Sequence, residues 1–105
     1  MIDGGNHRVV SYSAATGAFN GWIGRINAAP SGGCTTGNNG AYVVSTSGWC
    51  IGGTAQQAAN NDRKGGFSFW TRSGITTDGV NLYIANFYNS RVDKISFTGE
   101  YVESI

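Results

Sequence analysis

The chain of 105 residues has one proline, one histidine, two cysteines and few charges, and these shortages exclude several classes of protein. Charged residues make up 12% of the chain and aromatic residues another 12%, a balance that argues against intrinsic disorder. The net charge of +1 provides no broad basic field for nucleic acid. No apolar run approaches the roughly 18 residues of a membrane span. Residues 1–5 contain no stretch typical of a signal peptide. The composition therefore predicts a soluble, glycine-rich domain with no nucleic-acid partner and no membrane span.

The residues that usually carry catalysis are also scarce. A single histidine, His7, and two cysteines make a poor metal set, which argues against zinc hydrolysis. No Gly-x-Ser-x-Gly motif occurs, and the paired glycines lack the following helix and lysine of a phosphate-binding loop. Six carboxylates are not paired by spacing: Asp3, Asp62, Asp78, Asp93, Glu100 and Glu103. We therefore expect no catalytic residue, no metal site and no cofactor.

What the chain does contain is 17 glycines and several short runs typical of β-strands. Helical signals are weak, and residues 54–61 are expected to form one or two helical turns at most. The Asp78-Gly79 pair predicts a turn. The overall prediction is an all-β fold. The predicted strands are Arg8–Tyr12, Ala18–Ile23, a short one from Gly74, Asn81–Ala85, Arg91–Phe97 and Tyr101–Ile105.

The two strand-rich ends of the chain resemble each other. Asn6-His7-Arg8-Val9 matches Asn89-Ser90-Arg91-Val92, 83 positions later, and Thr16-Gly17 matches Thr98-Gly99, 82 positions later. Ile2-Asp3 matches Ala85-Asn86 at the first spacing. Repetition of such a unit indicates a modular architecture whose units cannot bury their faces alone.

These blocks resemble NHL repeats, which are named for an Asn-His-Leu signature and build β-propeller blades of four antiparallel strands. The resemblance covers residues 1–24 and 72–105, just over half of the chain. It implies that residues 1–24 form the end strands of one blade and residues 72–105 a nearly whole second blade. The second copy departs from the pattern at Asn86, where the family prefers Asp.

The repeated polar residues fit a structural role in turns. An Asp or Asn at a strand end accepts backbone N–H groups, an Asn tolerates left-handed geometry, and an Arg can bridge neighbouring segments. His7 fills the position that Ser90 fills in the other copy, so no shared chemistry is required of it. The structural turn motif consists of Asp3, Asn6, Arg8, Asn86, Asn89 and Arg91.

Residues 25–71 form a glycine-rich insert between the two units. Cys34 and Cys50 lie in a stretch of small polar residues that would gain from a covalent link, which favours a disulfide; the alternative is two free thiols. A disulfide would place the protein in an oxidising compartment, extracellular, on the cell surface or in the periplasm. The resemblance implies that the pair pins an outward flap, with Ala41–Val44 as a small strand. Four aromatic residues are candidates for a glycan or protein ligand, although the Trp residues could instead cover the blade edge: Trp49, Trp70, Tyr42 and Tyr88.

Propellers contain about four to eight blades, and this chain offers fewer than two. Because the chain starts and stops within strands, we expect exposed strand edges that pair with another polypeptide. Further copies could join head to tail as a ring or a filament, or the chain could be one piece of a longer propeller. We expect that the isolated monomer is not stably folded, since roughly half of the chain is loop and a small core is marginal. Three functions remain: a self-assembling extracellular scaffold, a module that binds a glycan or a protein, and, least favoured, an enzyme.

Overall fold

A computed structural model describes residues 1–34, 45–58, 65–69 and 74–105, and these residues form strands, turns and three short 3-10 helices. The predicted all-β fold is confirmed. The 3-10 helices are Gly4–Asn6, Ser31–Gly33 and Phe87–Asn89. The strands are β1 (Ile2–Asp3), β2 (Arg8–Tyr12), β3 (Phe19–Ile23), β4 (Arg25–Ala28), β5 (Thr54–Gln56), β6 (Gly74–Thr77), β7 (Asn81–Asn86), β8 (Arg91–Ser96) and β9 (Tyr101–Ser104).

The strand predictions at both ends of the chain are confirmed within one or two residues, but the helical prediction was wrong for Thr54–Gln56, and residues 59–61 of that segment lie outside the described residues. Instead of a helical turn, Thr54–Gln56 forms β5, which pairs with β4. The Thr54 hydroxyl accepts the backbone N–H of Ala28, and Gln56 donates its side-chain amide to the Ile26 carbonyl. Contacts with a distant strand therefore override the weak helical preference of this polar segment.

Three antiparallel sheets follow the chain. The first has the order β1-β2-β3, the second is β4-β5, and the third is the four-stranded meander β6-β7-β8-β9. The first sheet is extended by a bridge in which Trp22 and Cys50 exchange both backbone hydrogen bonds, at 2.9 and 3.0 Å. None of these sheets closes on itself among the described residues. The arrangement of the strands as propeller blades thus stays a prediction.

One apolar core joins the first sheet to the third. Val9 and Ile23 come from the first sheet, Ile84 and Ile95 come from the third, and all four are buried in one cluster. Burial of such side chains contributes about 1.5–3 kcal/mol each. The register explains their shared position, because Val9 pairs with Ile23 across β2 and β3 and therefore points to the same face.

The centre of this core comes from the insert. Phe67 and Phe69 are fully buried, and their rings stack with centroids 4.9 Å apart. Their backbone is anchored at both ends, since Phe67 O accepts Ala58 N–H and Phe69 N–H donates to His7. The insert is therefore not merely an outward excursion, because residues 65–69 pack between the two sheets.

The repeat seen in the sequence recurs in the backbone. In both copies a 3-10 helix ends at a residue with left-handed geometry, His7 (φ 53°, ψ 44°) and Ser90 (φ 53°, ψ 43°). Each following strand has a bulge at the same place, after Ser11 in the first copy and after Lys94 in the second. The first copy thus comprises β1, β2 and β3, and the second comprises β7, β8 and β9.

None of the described helices is long and apolar enough to cross a membrane.

Candidate functional site

In the first copy the polar turn motif lies near the surface. The Asp3 carboxylate accepts a hydrogen bond from Asn6 Nδ2 at 3.0 Å and pairs with Arg8 Nε at 2.9 Å. The hydrogen bond from Asn6, followed by the bond and charge of Arg8, holds the pKa of Asp3 below its ordinary value. About a quarter of each of the Asp3 and Arg8 side chains is exposed, so this pair contributes little to stability.

In the second copy the same motif is buried. Asn86 is 0% exposed, and its Oδ1 accepts Asn89 Nδ2 at 3.2 Å, as Asp3 accepts from Asn6. The same oxygen accepts the backbone N–H of Ser68 at 2.9 Å. Asn86 Nδ2 donates to the Gly66 carbonyl at 2.9 Å and to Asp93 Oδ2 at 2.8 Å. An amide fits this position because it can accept on one side and donate on the other.

The negative charge of the second copy lies at Asp93 rather than at position 86. Asp93 is fully buried, and its Oδ1 pairs with Arg91 Nε at 2.9 Å and accepts the Ser104 hydroxyl at 2.6 Å. Arg91 also donates to the Gly66 carbonyl at 3.0 Å. This buried charge is paired and hydrogen-bonded on both oxygens, as burial of a carboxylate requires.

All six residues predicted for the turn motif lie in these two turns, but sequence reasoning missed Asp93 and Ser104 as their partners. The signal was present in the repeat. At the spacing of 83, Asp93 occupies the position of the apolar Val10, and Asn86 occupies the position of Asp3. The second copy thus lacks a carboxylate at the first position of the motif but has one seven positions later. This pattern indicates that the negative charge has moved within the motif.

His7 links the first copy to the core. Its side chain is buried, and Nδ1 accepts the backbone N–H of Phe69 at 3.0 Å. An accepting Nδ1 requires that this nitrogen carry no proton. Burial lowers the pKa of His7 below its ordinary value, which favours the neutral ring. His7 therefore has a structural role in the core, which its alignment with Ser90 in the sequence did not predict.

The predicted disulfide between Cys34 and Cys50 is present, with Cα atoms 5.7 Å apart. Its second cysteine is buried and is the residue that bridges β3. A link of this length stabilises the folded chain by roughly 3 kcal/mol in the loop-entropy model. The disulfide thus fixes one side of the insert directly to the first sheet.

Trp49 lies against the core rather than standing free. Its side chain is half-buried and packs against the apolar cluster, and its indole N–H donates to the Phe97 carbonyl at 2.8 Å. The adjacent Gly48 backbone lies close to the turn at Thr98 and Gly99. Trp49 therefore joins the insert to the turn between β8 and β9.

The other aromatic candidates have different outcomes. Tyr88 is 42% exposed and meets Phe87 edge to face, with ring centroids 5.1 Å apart. Tyr42 and Trp70, together with the predicted strand Ala41–Val44, lie outside the described residues. The four candidates are therefore not shown to form one site.

The outward face of the four-stranded sheet carries an apolar surface. Ala85, Val92 and Ile105 lie side by side on three adjacent segments, and Val92 and Ile105 exchange backbone hydrogen bonds. Val92 is 38% exposed and Ile105 is 70% exposed. Two shallow pockets meet on this face, and Phe87 and Tyr88 line one of them.

The turn between β6 and β7 is built by Asp78. Its carboxylate accepts the backbone N–H groups of Val80 and Asn81 and the hydroxyl of Tyr83, all at 2.8 Å. These bonds, first of all the one from Asn81, lower the pKa of Asp78 to about 2. The bond to Asp78 raises the pKa of Tyr83. The predicted Asp-Gly turn is therefore confirmed, and the Asp78 carboxylate accepts its hydrogen bonds from groups in and next to the turn.

Among the residues that the structure describes, no group of three or more His, Cys, Asp or Glu side chains is placed to hold a metal ion.

Comparison of the chain with protein-family models, with curated proteins and with solved structures finds no match.

Proposed function

We propose that this chain is a non-catalytic repeat module, of the NHL-like type, that acts as a scaffold completed by further repeats or further copies. The supporting observation is the internal repeat, which has the same 3-10 helix, the same left-handed residue and the same bulge in both copies. Units of this kind bury their faces against neighbouring units. Two copies bury such faces against each other, and we propose that the remaining faces pack against a further repeat or a further copy.

The edges of the four-stranded sheet provide one route to such assembly. Among the described residues β6 pairs only with β7, and β9 pairs only with β8. All four residues of β6 are exposed, as are the last three residues of β9. An exposed edge strand can pair with another chain through its free backbone groups. Strand-edge pairing with further copies or repeats is thus part of the proposal.

The disulfide supports the proposed compartment. Cys34 and Cys50 are bonded, and structural disulfides persist in oxidising surroundings. We place the protein outside the cell or on its surface, with the periplasm as the corresponding bacterial compartment. The insert then keeps its attachment to β3 without a large core of its own.

The test is the mass of the particle as a function of concentration. Light scattering and sedimentation of the oxidised protein should show an average mass that increases with concentration. Hydrogen exchange measured at low and high concentration should show added protection of the amides in β6 and β9 if the edges pair. A particle that stays a monodisperse, cooperatively melting monomer throughout would contradict the scaffold proposal.

A second candidate is a module that binds a glycan or a protein through aromatic side chains. The observation in its favour is the exposed Phe87–Tyr88 pair beside an open pocket that also includes Arg91. Exposed aromatic rings next to polar groups suit sugar or protein contacts. A glycan library provides the probe, and Tyr88→Ala should abolish any binding. Tyr12→Ala is the matched control, because Tyr12 is similarly exposed and also forms an edge-to-face pair, with Phe19.

A further inference from the structure

The inference below rests on the proposed scaffold function and identifies the surfaces that would join two molecules. We define the outer row as Ala85, Val92 and Ile105. The repeat places these three residues at the positions that Ile2, Val9 and Ile23 occupy in the first copy. The register is the same, because Ile2 pairs with Val9 and Val9 with Ile23, as Ala85 pairs with Val92 and Val92 with Ile105.

The first copy shows what such a row packs against. Val9 is 0% exposed and Ile23 is 2% exposed, and Ile2 packs beside them. Their cluster includes Phe67 and Phe69 of the insert as well as Ile84 and Ile95 of the second copy, with Leu82 and Tyr101 at its margin. We call the face that carries Ile84, Ile95 and Tyr101 the inner face of the second copy. Within one chain, therefore, the row of the first copy and the inner face of the next copy share one core with Phe67 and Phe69 of the insert.

The outer row of the second copy has the same pairing but, among the described residues, lies outside that core. Val92 and Ile105 are 38% and 70% exposed, whereas their equivalents are buried. Since the strands, the bulge and the pairing correspond, the difference in exposure arises from the neighbours of each row: Val9 and Ile23 lie in the shared core, whereas Val92 and Ile105 lie outside it. The outer row thus has the apolar composition of a buried surface but is exposed to solvent.

On the first copy, part of the corresponding face is exposed, although Val10 and Trp22 on that face are buried. The positions of Ile84, Ile95 and Tyr101 are occupied in the first copy by Met1, Tyr12 and Phe19. These three side chains are 65%, 48% and 42% exposed. Tyr12 and Phe19 stack edge to face, with centroids 5.6 Å apart, which makes a broad aromatic surface. We call this surface, formed by Met1, Tyr12 and Phe19, the receiving face.

We propose that the outer row of one molecule docks head to tail on the receiving face of a second copy, in a contact that corresponds to the internal one but does not include Phe67 and Phe69 of the insert. The occupant is a second copy because this chain itself carries both halves of the contact, in the positions that already pack together internally. Such a heterologous contact leaves one row and one receiving face free at the ends. Further copies then close a ring or extend a filament, according to the rotation between units.

Two charge substitutions test the contact from its two sides. Val92→Lys places an ammonium group in the outer row, and Phe19→Lys places one in the receiving face. Each variant alone should associate at least tenfold more weakly than the unaltered protein in sedimentation experiments. Val80→Lys is the control, because Val80 is 70% exposed in the turn between β6 and β7, outside both surfaces, and should change nothing. Ile105→Lys and Tyr12→Lys replace the first two variants if either fails to fold by circular dichroism.

Mixing gives the decisive measurement. The Val92→Lys variant keeps its receiving face and the Phe19→Lys variant keeps its outer row. Their mixture should therefore form a 1:1 dimer and nothing larger. A mixture that stays monomeric overturns the head-to-tail contact, as does unchanged association of both variants. If the unaltered protein associates while the variants have no effect, only the docking is wrong and the scaffold proposal stands. If the unaltered protein stays monomeric, both proposals fail.

Discussion

The two copies of the repeated unit have matching backbones, but the ion pair lies at the surface in the first copy and is largely buried in the second. In the first copy, Asp3 and Arg8 pair at the surface, with roughly a quarter of each side chain exposed. In the second, Arg91 pairs with the fully buried Asp93, and Asn86 stands where the first copy has its acid. The turn itself is preserved, because both copies keep the bond from the Asn three residues later.

This difference shows that the same backbone turn can form with different arrangements of charged residues. The turn needs only an oxygen acceptor at its first position, which Asp and Asn both supply. Burial then decides which of the two is tolerated, since an unpaired charge in a core costs several kcal/mol whereas a satisfied amide does not. Three predictions test differences between the two copies.

The largest effect is expected for Asn86→Asp. The introduced carboxylate would lie where Asn86 Nδ2 now stands 2.8 Å from Asp93 Oδ2, and it would no longer donate to the Gly66 carbonyl. We expect a loss of about 3 kcal/mol or more at pH 7, measured by urea unfolding. Two adjacent carboxylates raise the pKa of one of them in the folded state. The deficit should therefore shrink as the pH falls through that raised value.

The control for this prediction is Asp3→Asn in the first copy. It makes the surface turn resemble the buried one and should cost less than about 1 kcal/mol, because the pair that it removes is partly exposed. Equal losses for the two substitutions would show that burial is not what distinguishes the copies.

An intermediate effect is expected for Gly99→Ala, compared with Gly17→Ala at the equivalent turn. Both glycines have positive φ, 85° and 73°, so each substitution strains the backbone by roughly 1 kcal/mol. At Gly99 the added methyl group would also lie 2.8 Å from Trp49 N, whereas at Gly17 it would meet nothing within 4 Å. Thermal unfolding should show an additional loss of about 1–3 kcal/mol at Gly99. If the two losses match, the insert does not pack on the turn between β8 and β9.

The smallest effect is the pH dependence contributed by His7. Burial lowers the pKa of His7, so its contribution is complete above the unfolded value of 6.5. It is lost as the pH falls through 6.5 toward the lower folded pKa, at about 1.4 kcal/mol for each unit of difference. Urea unfolding between pH 7.5 and 5 measures this loss. The lowered pKa values of Asp3 and Asp78 affect stability only at a more acidic pH, below 3.8.

His7→Asn provides the control for the pH series. Its Oδ1 can accept the Phe69 N–H in place of Nδ1, it tolerates the left-handed backbone at this position, and it does not titrate. The slope of stability against pH between 6.5 and 5 should flatten in this variant. A slope that is the same as in the unaltered protein would assign the pH dependence to another group.

Local patterns predicted the strands of the two copies well. In β8, for example, the alternation of Asp93 and Ile95 with Val92 and Lys94 matches the observed alternation of buried and more exposed positions. The prediction failed where a segment has little pattern of its own. Thr54–Gln56 becomes a strand only because β4 lies beside it, and Phe67 and Phe69 enter the core from a stretch that was expected to be an excursion. Their spacing of two residues, typical of one face of an extended chain, was the available signal.

The sequence by itself determined the class of the fold, the repeated turn and the pairing of Cys34 with Cys50. Each of these depends on local chemistry: strand periodicity, residues that accept turn geometry, and two cysteines within a stretch of small polar residues. Only the tertiary structure decided that Asn86 and Asp93 share a buried network, that Trp49 binds the turn at Phe97, and that one apolar row is covered while its twin lies open. Those outcomes depend on which surfaces meet, and burial is a property of the neighbours of a residue rather than of the residue itself.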